Sequence, residues 1–288
     1  MFLYNLLMLD GFILVDKEPN ETTRHIDNYF QRKFKTRKVG HLGTLDPFAT
    51  GLVIVAINKA TKALSFLEDS KKGYIARLVL GKTTSSLDKD TPIIKCQPTK
   101  IYKNETVEEA VSSLLDITSQ IPPMYSAIKV NGTPLYDLAR EGKKIERKER
   151  PVKIFESKLI DYKFPYIDFY VKVSKGTYIR SLGETLASRL NTIGYLDKLR
   201  RIEVDDFNLI KAKKKEDIDE NDIIPVKDIL SFLPSLELKG KEIEDIKNGK
   251  KIRLDRDEEK IFLYSSQEAL AIYKKDENGY YSCLRGLF

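Results

Sequence analysis

The 288-residue chain has no tryptophan, three methionines, two histidines and two cysteines. Cys96 and Cys283 stand far apart, and His25 and His41 are its only imidazoles. Neither a disulfide framework nor a zinc-ligand spacing can be drawn from so few residues, so a reducing cytoplasm and a site free of metal and cofactor are expected. Long hydrophobic runs are also missing. The opening segment 1–9 is apolar, but it lacks a basic flank and a small-residue cleavage site, and Asp10 ends it too early to span a bilayer. Neither a signal nor a membrane anchor is expected there, and Met8 is an alternative start, because the first recognisable strand begins at Phe12. Internal repeats and low-complexity tracts are absent as well.

What is present describes a globular protein with an affinity for polyanions. Hydrophobic residues make up 41% and charged residues 32% of the chain, with a net charge of +7. That excess favours nucleic acid over acidic small molecules. The length suits one large domain with a small satellite.

The stretch Gly40-His41-Leu42-Gly43-Thr44-Leu45-Asp46-Pro47-Phe48-Ala49-Thr50-Gly51 runs into the apolar segment Leu52–Ile57. The apolar segment reads as a buried strand, and the dozen residues before it as a glycine-rich loop that feeds the core. Within that loop His41, Thr44 and Asp46 are the chemically capable side chains. Pro47 keeps Asp46 out of the helical region and stiffens the chain, which aims the carboxylate. An aspartate before proline is equally an ordinary turn starter, so this loop alone does not decide its role.

Phe12–Val15 predicts a strand, and Thr22 or Thr23 can cap a helix carrying Ile26, Phe30 and Phe34 with His25 on its solvated side. Asn58 can cap a helix bearing Ala60, Ala63 and Leu67. Tyr74–Leu80 alternates as a strand, with Tyr74 at its entry. Thr106 and Glu109 have the spacing of a capping box. After Pro122-Pro123 an exposed excursion is expected, with an Asn131-Gly132 turn, a short helix over 135–140 and a stop at Gly142. From Arg140 to Lys153 seven basic residues stand against three glutamates. Such a run is usually a solvated face, but here it shares an insertion with Met124, Tyr125 and Tyr136, a mixture suited to gripping phosphates while packing on bases. Ile167, Phe169, Val171 and Val173 alternate along a strand that leads into a helix with Arg180 in its first turn, where the helix dipole makes a carboxylate partner welcome. From about residue 235 the pattern changes to small β pieces, including Ile243 and Ile246 and a hairpin across Asn278-Gly279.

The Gly40–Gly51 segment resembles the active-site motif of the TruB-type tRNA pseudouridine synthases, Gly-His-x-Gly-x-Leu-Asp-Pro-x-Ala-x-Gly, at every fixed position. Tyr74, the Ile121–Ala127 segment, Lys175-Gly176-Thr177-Tyr178-Ile179-Arg180 and Leu199-Arg200-Arg201 resemble that family too, in family order. The likeness spans about 11–202, and the last 50 or so residues are weakly similar to a PUA-like module. The resemblance implies an α+β pseudouridine synthase fold: a mixed, largely antiparallel central sheet flanked by helices, with an inserted thumb at about 122–152. A catalytic domain over 11–234 and a C-terminal β-rich module over 235–288 are expected.

The resemblance also implies that Asp46 is the nucleophile, Arg180 its ion-pair partner and Tyr74 the aromatic that lies on the target base. His41, Tyr178, Leu199 and Lys17 match substrate-binding positions. Met124, Tyr125, Lys143, Lys144, Arg147 and Lys148 are candidates for RNA contact. The implied reaction turns the uridine of the tRNA TΨC loop, at position 55, into pseudouridine. The partner is the tRNA stem-loop, with no membrane and no obligate protein partner. Such chemistry needs a carboxylate kept ionised by a cation and a nucleotide flipped out of its stack, and no cofactor. Lys17-Glu18-Pro19-Asn20 departs from the family's usual turn, with Asn20 where glycine is usual, although asparagine tolerates left-handed geometry. Two alternatives stand: a guide-RNA-dependent synthase of the dyskerin type, and a non-enzymatic RNA-binding or tRNA-folding protein.

Overall fold

The computed structural model describes residues 10–266 and 268–288. The expectations about residues 1–9, including Met8 as a start, lie outside the described residues.

Seven longer strands and two short ones, Phe207–Asn208 and Ile224–Pro225, build the main sheet; the longer ones are β1 (Gly11–Lys17), β2 (Val39–Leu42), β3 (Thr50–Ile57), β4 (Lys72–Leu80), β5 (Ile154–Lys163), β6 (Tyr166–Val173) and β7 (Gly194–Val204). Their order is β5-β6-β4-β7-β3-β1, with the short Ile224–Pro225 segment beyond β1. Pairing is antiparallel throughout except between β7 and β3, which meet in parallel at Arg200–Thr50 and Arg201–Gly51. The expected mixed, largely antiparallel sheet is therefore present.

Both faces of the central strands are covered. Ile13, Val15, Val53 and Val55 enter one core, while Phe12, Leu14, Leu52 and Ile54 enter another on the opposite face. This two-sided burial is why β1 and β3 read as unbroken apolar runs. β6 lies nearer the rim and alternates: Ile167, Phe169, Val171 and Val173 are buried, and the residues between them are partly exposed.

β2 revises the loop reading. Gly40, His41 and Leu42 are strand, paired with Ala56, Val55 and Ile54. Because β7 touches β3 only at Thr50 and Gly51, the rest of that edge of β3 is open, and β2 takes it. The true loop is Gly43–Ala49.

Helices α1 (Thr23–Lys33), α2 (Asn104–Ser112), α3 (Leu135–Arg140) and α4 (Ile179–Arg189) follow the expected apolar spacing. Thr22 caps α1 by accepting the His25 N–H. The Thr106–Glu109 capping box does not form: α2 starts at Asn104, so that Val107 and Val111 face the core and Thr106 falls inside the first turn. Asn58 likewise does not cap. It adopts φ 54°, accepts the Thr36 hydroxyl at 2.5 Å, and precedes a 3₁₀ segment, Asn58–Leu67, rather than an α-helix.

The excursion near 122–152 contains the expected Asn131-Gly132 turn, α3 and a left-handed Gly142, and Ser119–Gln120 paired with Arg150–Pro151 closes its base. The C-terminal residues form a five-stranded sheet that includes the hairpin across Asn278-Gly279. Ile243 and Ile246 are not strand. Their three-residue spacing places them on the helix Lys241–Lys247, with Ile246 buried. One face of this sheet has its own core around Tyr273 and Tyr281, while Phe262, Ile272 and Leu287 join Phe12, Leu14 and Leu52 behind the main sheet. Among the described residues, no helix is long and apolar enough to cross a membrane.

Candidate active site

Asp46 sits in the Gly43–Ala49 loop between two buried anchors, Leu45 and Phe48. A turn closed by the Ala49 N–H on the Asp46 carbonyl shapes the loop, and Asn20, in the turn after β1, supports it by donating its N–H to the Pro47 carbonyl at 2.9 Å. Asn20 does so at φ 64°, so the asparagine supplies the left-handed turn that a glycine would otherwise provide. Lys17, expected among the substrate contacts, is instead a strut. It is 0% exposed, and its ammonium donates to the carbonyls of Glu18, Pro47 and Ala49 at 2.9, 3.1 and 2.6 Å. Burial pulls its pKa down to about 8, which leaves it charged at neutral pH.

Arg180, 3% exposed, enters from the first turn of α4. Its Nε and Nη2 meet the two oxygens of Asp46 at 2.9 and 3.0 Å. Nη2 also donates to the Tyr125 carbonyl at 2.7 Å, and Nη1 to the Ser86 carbonyl at 2.8 Å while facing Asp88 Oδ2 at 3.4 Å. Each of the five guanidinium N–H directions thus has an acceptor or an anion before it. Such a planar, two-point pair fixes both the position and the orientation of the carboxylate.

Burial pushes the Asp46 carboxyl above the ordinary carboxylate value, Arg180 opposes this, and the negative charge of Asp88 adds to the rise. About a third of the Asp46 side chain (33%) faces an open cleft. Water therefore tempers the desolvation until the cleft is filled.

That cleft encloses ≈ 460 Å³ and is lined by Asp46, Tyr74, Tyr178, Leu199 and Thr44 among others, within the range of small-molecule and nucleotide sites. Tyr74 and Leu199 are buried on neighbouring strands, β4 and β7. Tyr178 caps α4, and burial raises its phenol pKa. His41 does not line the cleft and meets it through Thr44, which does. Its Nδ1 is 2.9 Å from Asp27 Oδ2, a buried carboxylate on α1, and its Nε2 is 3.4 Å from the Thr44 hydroxyl. Among the described residues no cluster of three or more His, Cys, Asp or Glu is arranged to hold a metal.

The basic excursion divides. Tyr125 offers its carbonyl to Arg180, and Met124 is half-buried beside it. Lys144 and Lys148 are exposed, and Lys143 is exposed and paired with Glu141 at 2.8 Å. Arg147 differs from its neighbours: half-buried, it donates to the Pro122 carbonyl at 3.0 Å, so it braces the base of the excursion.

The description "TruB family pseudouridylate synthase (N terminal domain)" matches residues 31–179. The chain belongs to the TruB family. It is 36% identical over 294 residues to the tRNA pseudouridine synthase B of Oenococcus oeni, covering 95% of this chain and 96% of the relative. It is 34% identical to that of Mesoplasma florum, covering 96% and 97%. The fold is similar to a chain in the archaeal box H/ACA sRNP Nop10-Cbf5 complex, with TM-score 0.70 and 17% identity, covering 100% of this chain and 89% of that one.

Two residues of this TruB-family site escape a reading of sequence. Asp88 lies in what looks like an ordinary polar turn, yet it is buried, accepts Ser86 Oγ at 2.5 Å and the Asp90 N–H at 3.0 Å, and faces Arg180. Its only signal is an Asp-rich stretch directly after β4. Gln120 clamps Tyr178 by accepting its N–H at 2.9 Å and donating to its carbonyl at 3.1 Å. Nothing local in the sequence marks it, because its partner lies 58 positions away.

Proposed function

We propose that this TruB-family chain isomerises the uridine of the TΨC loop of tRNA, position 55, to pseudouridine, with Asp46 as the nucleophile. The observation that carries the reading is the two-point Asp46–Arg180 pair opening into a cleft walled by Tyr74, Tyr178 and Leu199. The relatives are tRNA pseudouridine synthases B, which supports tRNA as the substrate.

The reaction breaks the N1–C1′ bond, turns the base and forms C5–C1′. The proton on C5 is lost and N1 gains one, so no atom or electron is added. A carboxylate kept anionic by Arg180 suits this exchange whether it attacks the ribose or the base. The target atoms lie inside a stacked loop, so the nucleotide is flipped out to lie on Tyr74, and His41, oriented by Asp27, fills the gap left behind. Met124, Tyr125 and the lysines of the 122–152 excursion grip the RNA. A catalytic part over 11–234 and a PUA-like module over 235–288 act together in the cytoplasm without an obligate protein partner.

The test is pseudouridine mapping in unmodified tRNA incubated with pure protein. Product at the TΨC uridine alone, without guide RNA or added proteins, is expected. Activity only with a guide would favour the dyskerin-type alternative, and tRNA binding without product would favour a non-enzymatic RNA-folding role.

A further inference from the structure

The cleft holds a second pair of cations that the reaction above does not use. Arg201 is the register partner of Tyr74 across β7 and β4, and Lys72 lies two residues before Tyr74 on the same face of β4. Both line the cleft with Asp46. Arg201 is 0% exposed, and its Nε donates to the Leu52 carbonyl at 2.6 Å and its Nη2 to the Gly43 carbonyl at 3.2 Å. Its Nη1 is buried and, among the described residues, has no hydrogen-bond partner. Lys72, 8% exposed, spends one N–H on the Ser70 carbonyl at 2.9 Å. Among the described residues neither cation makes an ion pair. Of the nearby carboxylates, Asp69 pairs with Lys175 at 2.5 Å, Asp205 accepts the Lys71 N–H at 2.8 Å, and Glu68, which also lines the cleft, is exposed to solvent.

Gly43 is where the two cations converge. A Cβ there would lie 3.3 Å from Lys72 Cε and 3.4 Å from Arg201 Nη1, and the residue adopts φ +67°. The loop therefore presents bare backbone at this point, where any side chain would crowd both cations. Two buried, adjacent cations, one with an unsatisfied donor, repel one another unless an anion joins them. The free Nη1 of Arg201 and the remaining Lys72 donors suit tetrahedral phosphate oxygens.

We propose that Lys72 and Arg201 form a phosphate site in the floor of the cleft, which takes a backbone phosphodiester of the RNA strand bound there. The identity of the strand rests on the pseudouridine synthase reading; the anion site does not.

Arg201 also supports the loop, so the test uses Lys72→Met, with Lys72→Arg as the conservative variant, and binding of the tRNA stem-loop as a function of salt. Lys72→Met is expected to weaken binding about tenfold and to reduce the slope of log affinity against log salt by about 1, with Lys72→Arg recovering most of both. Stem-loops carrying a single neutral methylphosphonate near the target uridine supply the cross-check. One position should weaken binding to wild type and have no further effect on Lys72→Met. An unchanged slope, or equal losses in both proteins at every position, would overturn the assignment to the RNA backbone. A separate arm measures Tm in inorganic phosphate against chloride at matched ionic strength. Protection of wild type but not of Lys72→Met supports the anion site even if tRNA proves not to be a substrate. No difference between the two removes the site, and phosphate protection without any RNA effect assigns it to free phosphate instead.

Discussion

Two buried arginines serve one cleft and are built differently: Arg201 lines it, and Arg180 stands behind Asp46, which does. Arg180 has an acceptor or an anion for every N–H and a carboxylate held at two points. Arg201 gives its Nε and Nη2 to the carbonyls of Leu52 and Gly43 and, among the described residues, keeps Nη1 unpartnered. A saturated guanidinium fixes what is already present, and Arg180 holds the Asp46 carboxylate at two points. An unsaturated one is completed by what arrives.

The largest effect expected from breaking this contrast is at the carboxylate. Asp46→Asn should lower single-turnover pseudouridine formation by about 10⁴-fold or more while the circular dichroism spectrum is preserved; residual activity near wild type would remove Asp46 from its role. Next, Arg180→Lys keeps the charge but loses the two-point geometry, and should cost about 10²- to 10³-fold in the same assay. A smaller change separates the electrostatics. Because burial and Asp88 raise the pKa of Asp46, the rate should fall on the acid side at a pH above the ordinary aspartate range. Asp88→Asn removes one of the charges that raise it, so that acid limb should move to lower pH.

Stability responds in the opposite sense at the two kinds of group. Asp46 binds its proton more tightly in the folded chain, so its contribution to stability falls as pH rises through its raised pKa. Lys17 and Lys72 are lowered to about 8 by burial, so the folded chain sheds protons that the unfolded chain keeps, and stability should rise between about pH 8 and the ordinary lysine value of 10.5. Urea titrations of wild type and Lys72→Met across that range check the sign; the variant should show the smaller rise. The smallest effect belongs to the excursion. Neutralising Lys143, Lys144 and Lys148 together should flatten the salt dependence of tRNA binding with little change in Tm, whereas Arg147→Ala, which removes the brace on Pro122, should lower Tm.

The sequence makes legible what is carried by local pattern. β1, β3 and β6 follow from apolar runs and alternation and α1 from its Thr22 cap, while the Asp46–Arg180 pair follows from the family resemblance, since the Asp46 loop alone leaves its role open. What it hides depends on contacts between distant segments. β2 exists because β7 leaves part of an edge of β3 unpaired, which no local periodicity records. Lys17 looks like an exposed residue at the end of a strand, and becomes a strut only because the loop 30 positions later folds over it. Arg147 sits in a basic run, and only the fold separates it from the lysines around it.

The single parallel contact in the main sheet also sets an order of assembly. Gly51, where a Cβ would stand 2.2 Å from the Arg201 carbonyl oxygen, meets a strand whose arginine bonds Leu52 from 149 positions further along the chain. Hairpin-like pairs such as β5–β6 close over short distances, but this junction closes only after most of the chain has been made and gathered. The Asp46 loop therefore gains its floor late in folding. In pulse-labelled hydrogen exchange, the amides of β5 and β6 should become protected before those of residues 43–52, so a nascent chain carries Asp46 long before that carboxylate is aimed at anything.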